Sequence, residues 1–321
     1  MNQPAENKTT KNKTRLIFMG TPDFAVPGLQ ALLNEPSFDI VGVFTQTDKP
    51  VGRKQLLTPP PIKTLSLANK IRLFQPLKIK DETETIKELK PDLIVVTAYG
   101  KIIPQAILDI PTYGCLNVHA SLLPKYRGAA CLNAPILNGD TETGVTIMKM
   151  EAGLDTGPIL RQSKISLNGR ETLSEIHDRL SQLGAEILIP TIQDFLNGKI
   201  KPVAQDDSQA SYIKTLKKED GRIDWAKSAL EIERLIRAYT PWPGAHSLLN
   251  GKMVKILTVD NNIVAINKHK IGQTFLHDNK LSIQCGQDSL LILKLQTEGG
   301  RPLDVKTFLN GNSDFVGSIL N

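Results

Sequence analysis

The stretch Cys115–Ala130, which reads CLNVHASLLPKYRGAA, decides the expected fold of the first part of the chain. It opens as a strand, and because side chains alternate between the two faces of a strand, Asn117 and His119 point the same way. Leu116 and Val118 point into an apolar layer on the other face. An amide and an imidazole therefore lie side by side at the carboxyl end of a strand, where open α/β sheets bind ligands.

A second turn supplies a carboxylate that can reach this pair. The sequence GLDTG at Gly153–Gly157 places Asp155 between two predicted strands, Gly144–Met150 and Ile159–Ile165. Taken alone, a histidine at the end of a strand is more often structural than catalytic. Here the histidine is followed by a loop and has a candidate acidic partner. The amide, the imidazole and the carboxylate together form a candidate catalytic set.

The composition excludes several classes of protein. With 321 residues, 40% of them hydrophobic and 22% charged, the chain is typical of a soluble globular protein with two domains. No apolar run is long enough to span a bilayer, and Met1–Thr14 lacks the apolar segment of a secretory signal, so we expect a cytoplasmic protein without membrane contact. The net charge of +6 fits an anionic partner such as nucleic acid, and it fits an ordinary basic enzyme equally well.

The three cysteines indicate neither a metal site nor a disulfide framework. Cys115, Cys131 and Cys285 are odd in number and have no CxxC spacing. This pattern favours a reducing compartment, and we expect no metal in the protein.

The first part of the chain alternates predicted strands and helices, which predicts an α/β fold: a Rossmann-like doubly wound, mostly parallel sheet over residues 15–197. The turn after the first strand, Gly20–Asp23, lacks the glycines of GxGxxG, which argues against a dinucleotide site and so against a dehydrogenase. Pro190 is expected to kink or split the last helix. The predicted elements, besides those already given, are strands Arg15–Met19, Ile40–Phe44 and Leu93–Val96, and helices Phe24–Leu33, Ile62–Lys70, Glu82–Leu89, Pro104–Leu108 and Thr172–Leu196.

A long loop interrupts this alternation. Residues Thr45–Pro61 read TQTDKPVGRKQLLTPPP, and no regular element fits them. Long loops inside a compact domain are usually functional or disordered. The cations Lys49, Arg53 and Lys54 cluster around a glycine, which suits contact with phosphate, although a solvated charged loop is an equally good interpretation.

The pattern changes in the last third of the chain. Residues 1–14 are expected to form a disordered extension and residues 198–211 a polar linker, so that 212–321 form a second domain. A helix at Ala226–Ala238 precedes short strands separated by turns, which favours an OB-like β-barrel. The predicted strands are Ala245–Leu249, Met253–Val259, Gln273–His277, Leu281–Ile283 and Leu290–Leu295.

The motifs taken together resemble the folate-dependent formyltransferases, and most closely the methionyl-tRNA formyltransferases. The resemblance extends over nearly the whole chain from Arg15 onward. Cys131 departs from it, since the family commonly has proline there, and the first 14 residues have no recognised counterpart. The matching stretches are GTPDFA at 20–25, DKPVGRK at 48–54, TAYG at 97–100, NVHASLLPKYRGAA at 117–130, ETGVTIM at 142–148, GLDTG at 153–157 and RAYTPWP at 237–243.

The resemblance implies formyl transfer from 10-formyltetrahydrofolate to the amino group of methionine on initiator tRNA, for translation initiation. It implies that Asn117, His119 and Asp155 are catalytic and that the C-terminal OB-like domain helps to bind the tRNA. We further expect a monomer. The residues implied in the folate site are Ser121, Leu122, Leu123 and Pro124, and those implied in tRNA contact are Arg53, Lys54 and Lys49.

The chemistry of such a transfer can be argued from the residues themselves. Attack of an amine on a formyl carbonyl builds negative charge on oxygen and leaves a proton to be moved. The Asn117 amide can donate a hydrogen bond to the oxyanion, and the His119 imidazole can donate one or carry a proton near neutral pH. Asp155 can orient the imidazole or hold a water. Neither Ser121 nor a cysteine is placed as a nucleophile with a base, so we expect no covalent intermediate.

Two rival functions remain open at this level. A formyltransferase acting on a sugar-nucleotide amine shares the Asn-x-His and Asp pattern and can also have a C-terminal barrel, but the basic loop at Thr45–Pro61 favours tRNA. The second rival is a tRNA-binding protein without enzymatic activity. That function would not explain why an amide, an imidazole and a carboxylate are expected at one strand end.

Overall fold

The computed structural model describes residues 13–52 and 54–321, so Arg53 and most of the predicted extension 1–14 lie outside the described residues. The chain divides into two units by proximity of its Cα atoms. The first unit holds the described residues up to Pro124 together with 144–163 and 179–210, and the second holds 125–143, 164–178 and 211–321.

The first unit is built on a seven-stranded sheet whose core strands are parallel. The order of its strands is β5-β2-β1-β6-β7-β8-β9, in which the first four neighbouring pairs are parallel and β7 pairs antiparallel with β8. The prediction of a mostly parallel α/β sheet is therefore confirmed. In chain order the strands are β1 (Thr14–Gly20), β2 (Phe38–Phe44), β3 (Lys49–Val51), β4 (Leu56–Thr58), β5 (Leu73–Phe74), β6 (Leu93–Thr97), β7 (Cys115–His119), β8 (Glu142–Lys149) and β9 (Ile159–Ser166).

Apolar runs in the sequence account for the central strands. All five residues of β6 are buried, as are Leu16, Ile17, Phe18 and Met19 of β1, which is typical of a parallel sheet covered on both faces. Pro190 lies inside one continuous helix, α6, and does not split it. Within the described ranges, no helix is both long and apolar enough to cross a membrane. The helices are α1 (Val26–Asn34), α2 (Pro61–Ala68), α3 (Thr83–Glu88), α4 (Gln105–Leu108), α5 (Ala134–Asn138), α6 (Leu173–Leu196), α7 (Ala229–Tyr239) and α8 (Val305–Asn310).

The long loop contains regular structure that the sequence did not predict. Strands β3 and β4 pair antiparallel with each other and form a separate two-stranded sheet. Gly52 and Gln55 take left-handed conformations in its turn, with φ of 71° and 49°. Each strand has three residues, which is too short for alternation of polar and apolar residues to be visible in the sequence.

The second unit contains a six-stranded antiparallel sheet packed on α7. Its strand order is β10-β11-β14-β13-β12, with β15 paired to β14. This confirms the antiparallel β domain, while closure into an OB-like barrel stays a prediction. The apolar core includes Trp225, Ile232, Ile256 and Leu290. The strands are β10 (His246–Leu249), β11 (Lys252–Val259), β12 (Thr274–His277), β13 (Lys280–Gln284), β14 (Ser289–Thr297) and β15 (Leu303–Asp304).

Helix α7 also holds a buried ion pair. The Arg237 guanidinium donates to both carboxylate oxygens of Glu233 one turn earlier, and the two side chains are 10% and 4% exposed. Arg237 Nη1 also donates to the backbone oxygen of Glu171 at 2.8 Å. Because each charge is removed from water, each depends on the other for compensation.

We expect Glu233→Ala to destabilise the second unit by roughly 3–5 kcal/mol, because Arg237 is then left as a buried charge without its carboxylate. Urea unfolding followed by tryptophan fluorescence measures this, since Trp225 and Trp242 both lie in this unit. Glu231→Ala is the matched control on the same helix, because the exposed Glu231 only caps its first turn, and it should cost much less. Equal losses for the two variants would contradict this account.

Candidate active site

Asn117, His119 and Asp155 come together at the carboxyl end of β7. The Asn117 Nδ2 lies 3.5 Å from Asp155 Oδ1, and the His119 Nδ1 lies 3.7 Å from Asp155 Oδ2. The side chain of His119 is 6% exposed and that of Asp155 is 15% exposed. The Asn117 contact lies at the long limit of a hydrogen bond, and the His119 contact is within the distance of an ion pair when the ring is protonated. The three side chains thus form one partly buried polar cluster.

The turn Gly153–Gly157 explains how Asp155 reaches β7. Asp155 has φ of 52°, a left-handed conformation that aspartate tolerates better than most residues. A Cβ added to Gly157 would lie 1.9 Å from the backbone oxygen of Lys149, so no larger residue fits there. The Gln205 amide donates to the backbone oxygens of Asp155 and Gly157 at 2.8 and 2.7 Å. The backbone of the turn that carries the carboxylate is therefore held at Asp155 and at Gly157.

The loop after β7 is held by one hydroxyl. Thr146 on β8 lies opposite His119 in the sheet, and its Oγ1 donates to the backbone oxygen of Ser121 at 2.7 Å. The Thr146 Oγ1 in turn accepts from the backbone N–H of Leu123 at 3.1 Å and from Gln162 Nε2 at 2.9 Å. Gln162 also donates to the backbone oxygen of Leu123 at 2.7 Å. These bonds satisfy the backbone of a buried loop that would otherwise lose contact with water.

The four residues expected in a folate site differ in exposure. Ser121 and Leu123 are buried, at 0% and 3% exposure, and their backbone oxygens are already bonded within the loop. Leu122 and Pro124 are half-buried, so they present surface that a ligand can contact. Assignment of all four to a folate site stays a prediction.

A second loop lies at the same edge of the sheet, after β6. The backbone oxygen of Tyr99 accepts from Thr21 Oγ1 at 3.0 Å and from Gln46 Nε2 at 2.9 Å. These bonds join the residues that follow β1, β2 and β6. Burial raises the pKa of the Tyr99 phenol to about 12, with the nearby Glu82 carboxylate contributing, so this hydroxyl remains protonated at neutral pH.

The predicted tRNA contacts lie at the β3–β4 hairpin. Lys49 Nζ donates to Gln46 Oε1 at 2.7 Å, which directs this ammonium toward the base of the hairpin. Lys54 is exposed in the turn. Arg53 lies outside the described residues, and its role stays a prediction.

The cysteines are not placed for nucleophilic chemistry. Cys115, Cys131 and Cys285 are all buried. Burial raises the pKa of the Cys115 thiol to about 12, and it does the same for Cys285. Only the thiolate is a good nucleophile, so these two groups are unreactive at neutral pH.

Thr146, Gln162 and Gln205 were not identified from the sequence, although each supports the site. Thr146 lies within the ETGVTIM motif, but a threonine in a strand carries no signal that its hydroxyl binds a neighbouring loop. Gln205 lies in the predicted linker 198–211, where a polar residue is expected to be solvated. Their partners are distant in the chain, so a local pattern cannot show these bonds.

Two family models match the chain. One, described as formyl transferase, matches residues 14–192, and the other, described as the formyl transferase C-terminal domain, matches residues 215–313. The methionyl-tRNA formyltransferase of Trichlorobacter lovleyi is 46% identical over 316 residues, which cover 95% of this chain and 96% of that protein. The methionyl-tRNA formyltransferase of Geobacter sulfurreducens is 46% identical over 300 residues, covering 92% and 93%.

A solved structure shares the fold at low identity. It is the N-formyltransferase from Helicobacter canadensis in complex with folinic acid and dTDP-3-aminofucose, with a TM-score of 0.64 and 22% identity. The match covers 87% of this chain and 99% of that one. At this identity the likeness shows the fold alone.

We expect Thr146→Val to destabilise the first unit by about 1–3 kcal/mol, because the change keeps the shape of the side chain but leaves buried loop groups without their partner. Urea unfolding measures the loss. Thr64→Val, at an exposed position of α2, is the control and should leave stability nearly unchanged. A Thr146→Val protein as stable as wild type would show that the hydroxyl does not hold the loop.

Proposed function

Since the chain belongs to the formyl transferase family, and within it to the methionyl-tRNA formyltransferases, we propose that it transfers a formyl group from 10-formyltetrahydrofolate to the amino group of methionine on initiator tRNA. The observation that carries the chemistry is the convergence of Asn117, His119 and Asp155 from two separate segments of the chain. The acceptor is inferred from relatives that match nearly the whole chain.

The reaction moves one formyl group and one proton. The methionine nitrogen attacks the formyl carbon, and a C–N bond forms as the carbonyl oxygen takes negative charge. The bond from the carbon to N10 of the folate then breaks, and the carbonyl reforms. The amine loses one proton and N10 gains one, so no oxidant or metal is needed for balance. The protein must therefore stabilise an oxyanion and assist one proton transfer.

Asn117 and His119 are the residues we assign to the oxyanion and the proton. Both side chains lie on one face of β7, where an amide N–H and a ring N–H can address a single oxygen. The small exposure of His119 means that a reacting group bound beside it meets little competing water. Imidazole changes protonation near neutral pH, so the same group can donate to the oxyanion and transfer the proton.

Asp155 is assigned a supporting role. It faces both the Asn117 amide and the His119 Nδ1, so one carboxylate orients two donors. A negative charge beside an imidazole also stabilises the protonated ring. The tight turn that carries Asp155 supports this assignment, because a carboxylate held by its backbone keeps a constant position during the reaction.

The folate is proposed to bind between the loops that follow β6 and β7. A flat and partly apolar ligand needs apolar walls and a few fixed polar groups. Leu122 and Pro124 provide half-buried apolar surface, and Gly100 in the loop after β6 is exposed. Ser121 and Leu123 are buried, so we propose that they hold the loop in place and do not contact the ligand with their side chains. The shape of this proposed folate site therefore depends on the hydrogen bonds that Thr146 and Gln162 donate to the backbone of the loop after β7.

The tRNA is proposed to contact two regions. One is the hairpin with Lys49 and Lys54, together with Arg53, which follows Gly52 in the sequence and is the contact we expect to matter most. The other is the C-terminal domain, 212–321, which we propose to be OB-like. Its antiparallel sheet and the family match over 215–313 support this. The division into 15–197, a linker at 198–211 and this domain belongs to the same proposal, as do a cytoplasmic location and a monomeric state.

We expect His119→Ala to lower kcat by roughly 10²–10³-fold, because one of the two donors to the oxyanion is lost. The measurement is transfer of labelled formyl from 10-formyltetrahydrofolate to Met-charged initiator tRNA. His177→Ala on α6 serves as the control and should transfer at the wild-type rate. Transfer that survives His119→Ala in a folded protein would refute the catalytic assignment while keeping the function.

The same assay separates the two acceptor classes. Wild-type protein should formylate the charged tRNA and leave a sugar-nucleotide amine unmodified. Transfer to the sugar amine alone would favour the alternative function, a folate-dependent sugar formyltransferase. Tight tRNA binding with no transfer to either acceptor would favour a binding protein.

We expect Arg53→Ala to raise KM for Met-tRNA with little change in KM for the folate, because it removes the cation next to Lys54 in the sequence and leaves the strand-end loops intact. If Arg53 contacts one phosphate, the slope of log affinity against log salt should fall by about 1. Arg72→Ala removes an exposed cation elsewhere in the first unit and is the control. Unchanged tRNA kinetics for Arg53→Ala would remove the hairpin from the proposal.

A further inference from the structure

The β3–β4 hairpin has no core of its own. All six residues of its two strands are exposed, including Val51, Leu56 and Leu57 at 55%, 64% and 68%. Its strands pair with each other and are not part of the seven-stranded sheet. An isolated two-stranded hairpin is marginally stable in water. The position of the hairpin relative to the seven-stranded sheet therefore depends on the residues at its base.

Asp48 lies at the base of the hairpin, where its carboxylate is hydrogen-bonded to two other elements. Its carboxylate accepts from Lys63 Nζ at 2.8 and 2.7 Å and from Gln75 Nε2 at 2.9 Å. Asp48 immediately precedes β3, Lys63 lies in the helix that follows β4, and Gln75 follows β5. One side chain thus joins the entry of the hairpin to the two elements that come after it. Both Lys63 and Asp48 side chains are 23% exposed, so the pair is partly shielded from water.

The same base is bonded to the loop that follows β6. Gln75 Nε2 also donates to the backbone oxygen of Gln46 at 2.8 Å, and the Gln46 side chain donates to the backbone oxygen of Tyr99 at 2.9 Å. Lys49, the first residue of β3, donates to Gln46 Oε1 at 2.7 Å. Gly100 has φ of 75°, and a Cβ added to it would lie 2.3 Å from Gln46 Nε2, so a larger residue would strain the backbone and displace the Gln46 side chain. A continuous chain of hydrogen bonds therefore runs from the hairpin to the loop after β6, one of the two loops between which we propose that the folate binds.

We propose that Asp48 is a positioning residue that fixes the hairpin relative to the loop after β6, and so places the acceptor end of the tRNA against the formyl donor. This inference rests on the proposed function for its acceptor. Asp48 does not take part in the chemistry. The hydrogen bonds from Gln75 and then Lys63 lower the pKa of its carboxyl group, so it stays charged throughout the neutral range.

The kinetic test compares Asp48→Ala and Lys63→Met with wild type. Each variant should raise KM for Met-tRNA by about 10-fold, the loss expected when a charged hydrogen-bonded pair is broken, with kcat and the folate KM within about twofold. Lys63→Arg keeps the pair and should restore the wild-type KM. Asp39→Ala is the control, because Asp39 forms an exposed ion pair with Arg15 at the opposite end of β2.

Hydrogen exchange without tRNA provides a readout that does not depend on the acceptor. The hairpin amides, such as those of Val51 and Leu56, should exchange several-fold faster in Asp48→Ala, while amides of β1 keep their protection. Faster exchange throughout the first unit would indicate a general loss of stability and would overturn the positioning role. So would unchanged exchange of the hairpin together with wild-type KM for tRNA.

The failure of this inference is distinguishable from failure of the proposed function. If wild-type protein formylates no Met-tRNA, the proposed function fails and hydrogen exchange alone decides whether Asp48 anchors the hairpin. If wild type transfers formyl groups and Asp48→Ala behaves as Asp39→Ala does, the positioning role is wrong and the function stands.

Discussion

The contact of the Asp155 carboxylate with strand β7 is the constraint on which the site depends. Asn117 and His119 lie on the same face of β7 because side chains alternate along a strand. The Asp155 carboxylate faces both of them, and the three side chains together form the polar cluster. The carboxylate is carried by a turn in which Gly157 admits no side chain and Asp155 has a left-handed backbone. The cost of such a conformation is repaid by the surrounding bonds, which is common at functional sites.

Polar side chains from elsewhere in the first unit hold the loops of the site. Thr146 and Gln162 bind the loop after β7, and Gln205 binds the turn of Asp155. Each satisfies backbone groups that a buried or tightly curved loop would leave without a partner. The hairpin is the opposite case, since its strands are exposed and its order depends on the charged base around Asp48.

The second unit shows how far local pattern can be trusted. Its five predicted strands and the helix before them are present, with ends shifted by a few residues, because turn signals and apolar spacing are local properties. The pairing of those strands with one another could not be predicted from the sequence. Whether the sheet closes into a barrel depends on pairing between residues far apart in sequence, for which no local signal exists. The buried pair of Glu233 and Arg237 was likewise invisible, since two charged residues on a helix are normally expected at its surface.

The sequence by itself determined the alternation of strands and helices, the shared face of Asn117 and His119, and the family to which the chain belongs. Those properties depend on residues close together in the chain or on motifs read one at a time. The tertiary structure alone decided that Thr146 holds the loop after β7 and that the long loop is a hairpin anchored at Asp48, and it set the distances at which the expected partner Asp155 meets β7. The physical reason is that each of these depends on one side chain meeting a partner brought near by the fold. Periodicity reports which face a residue occupies, and it does not report which distant group lies against that face.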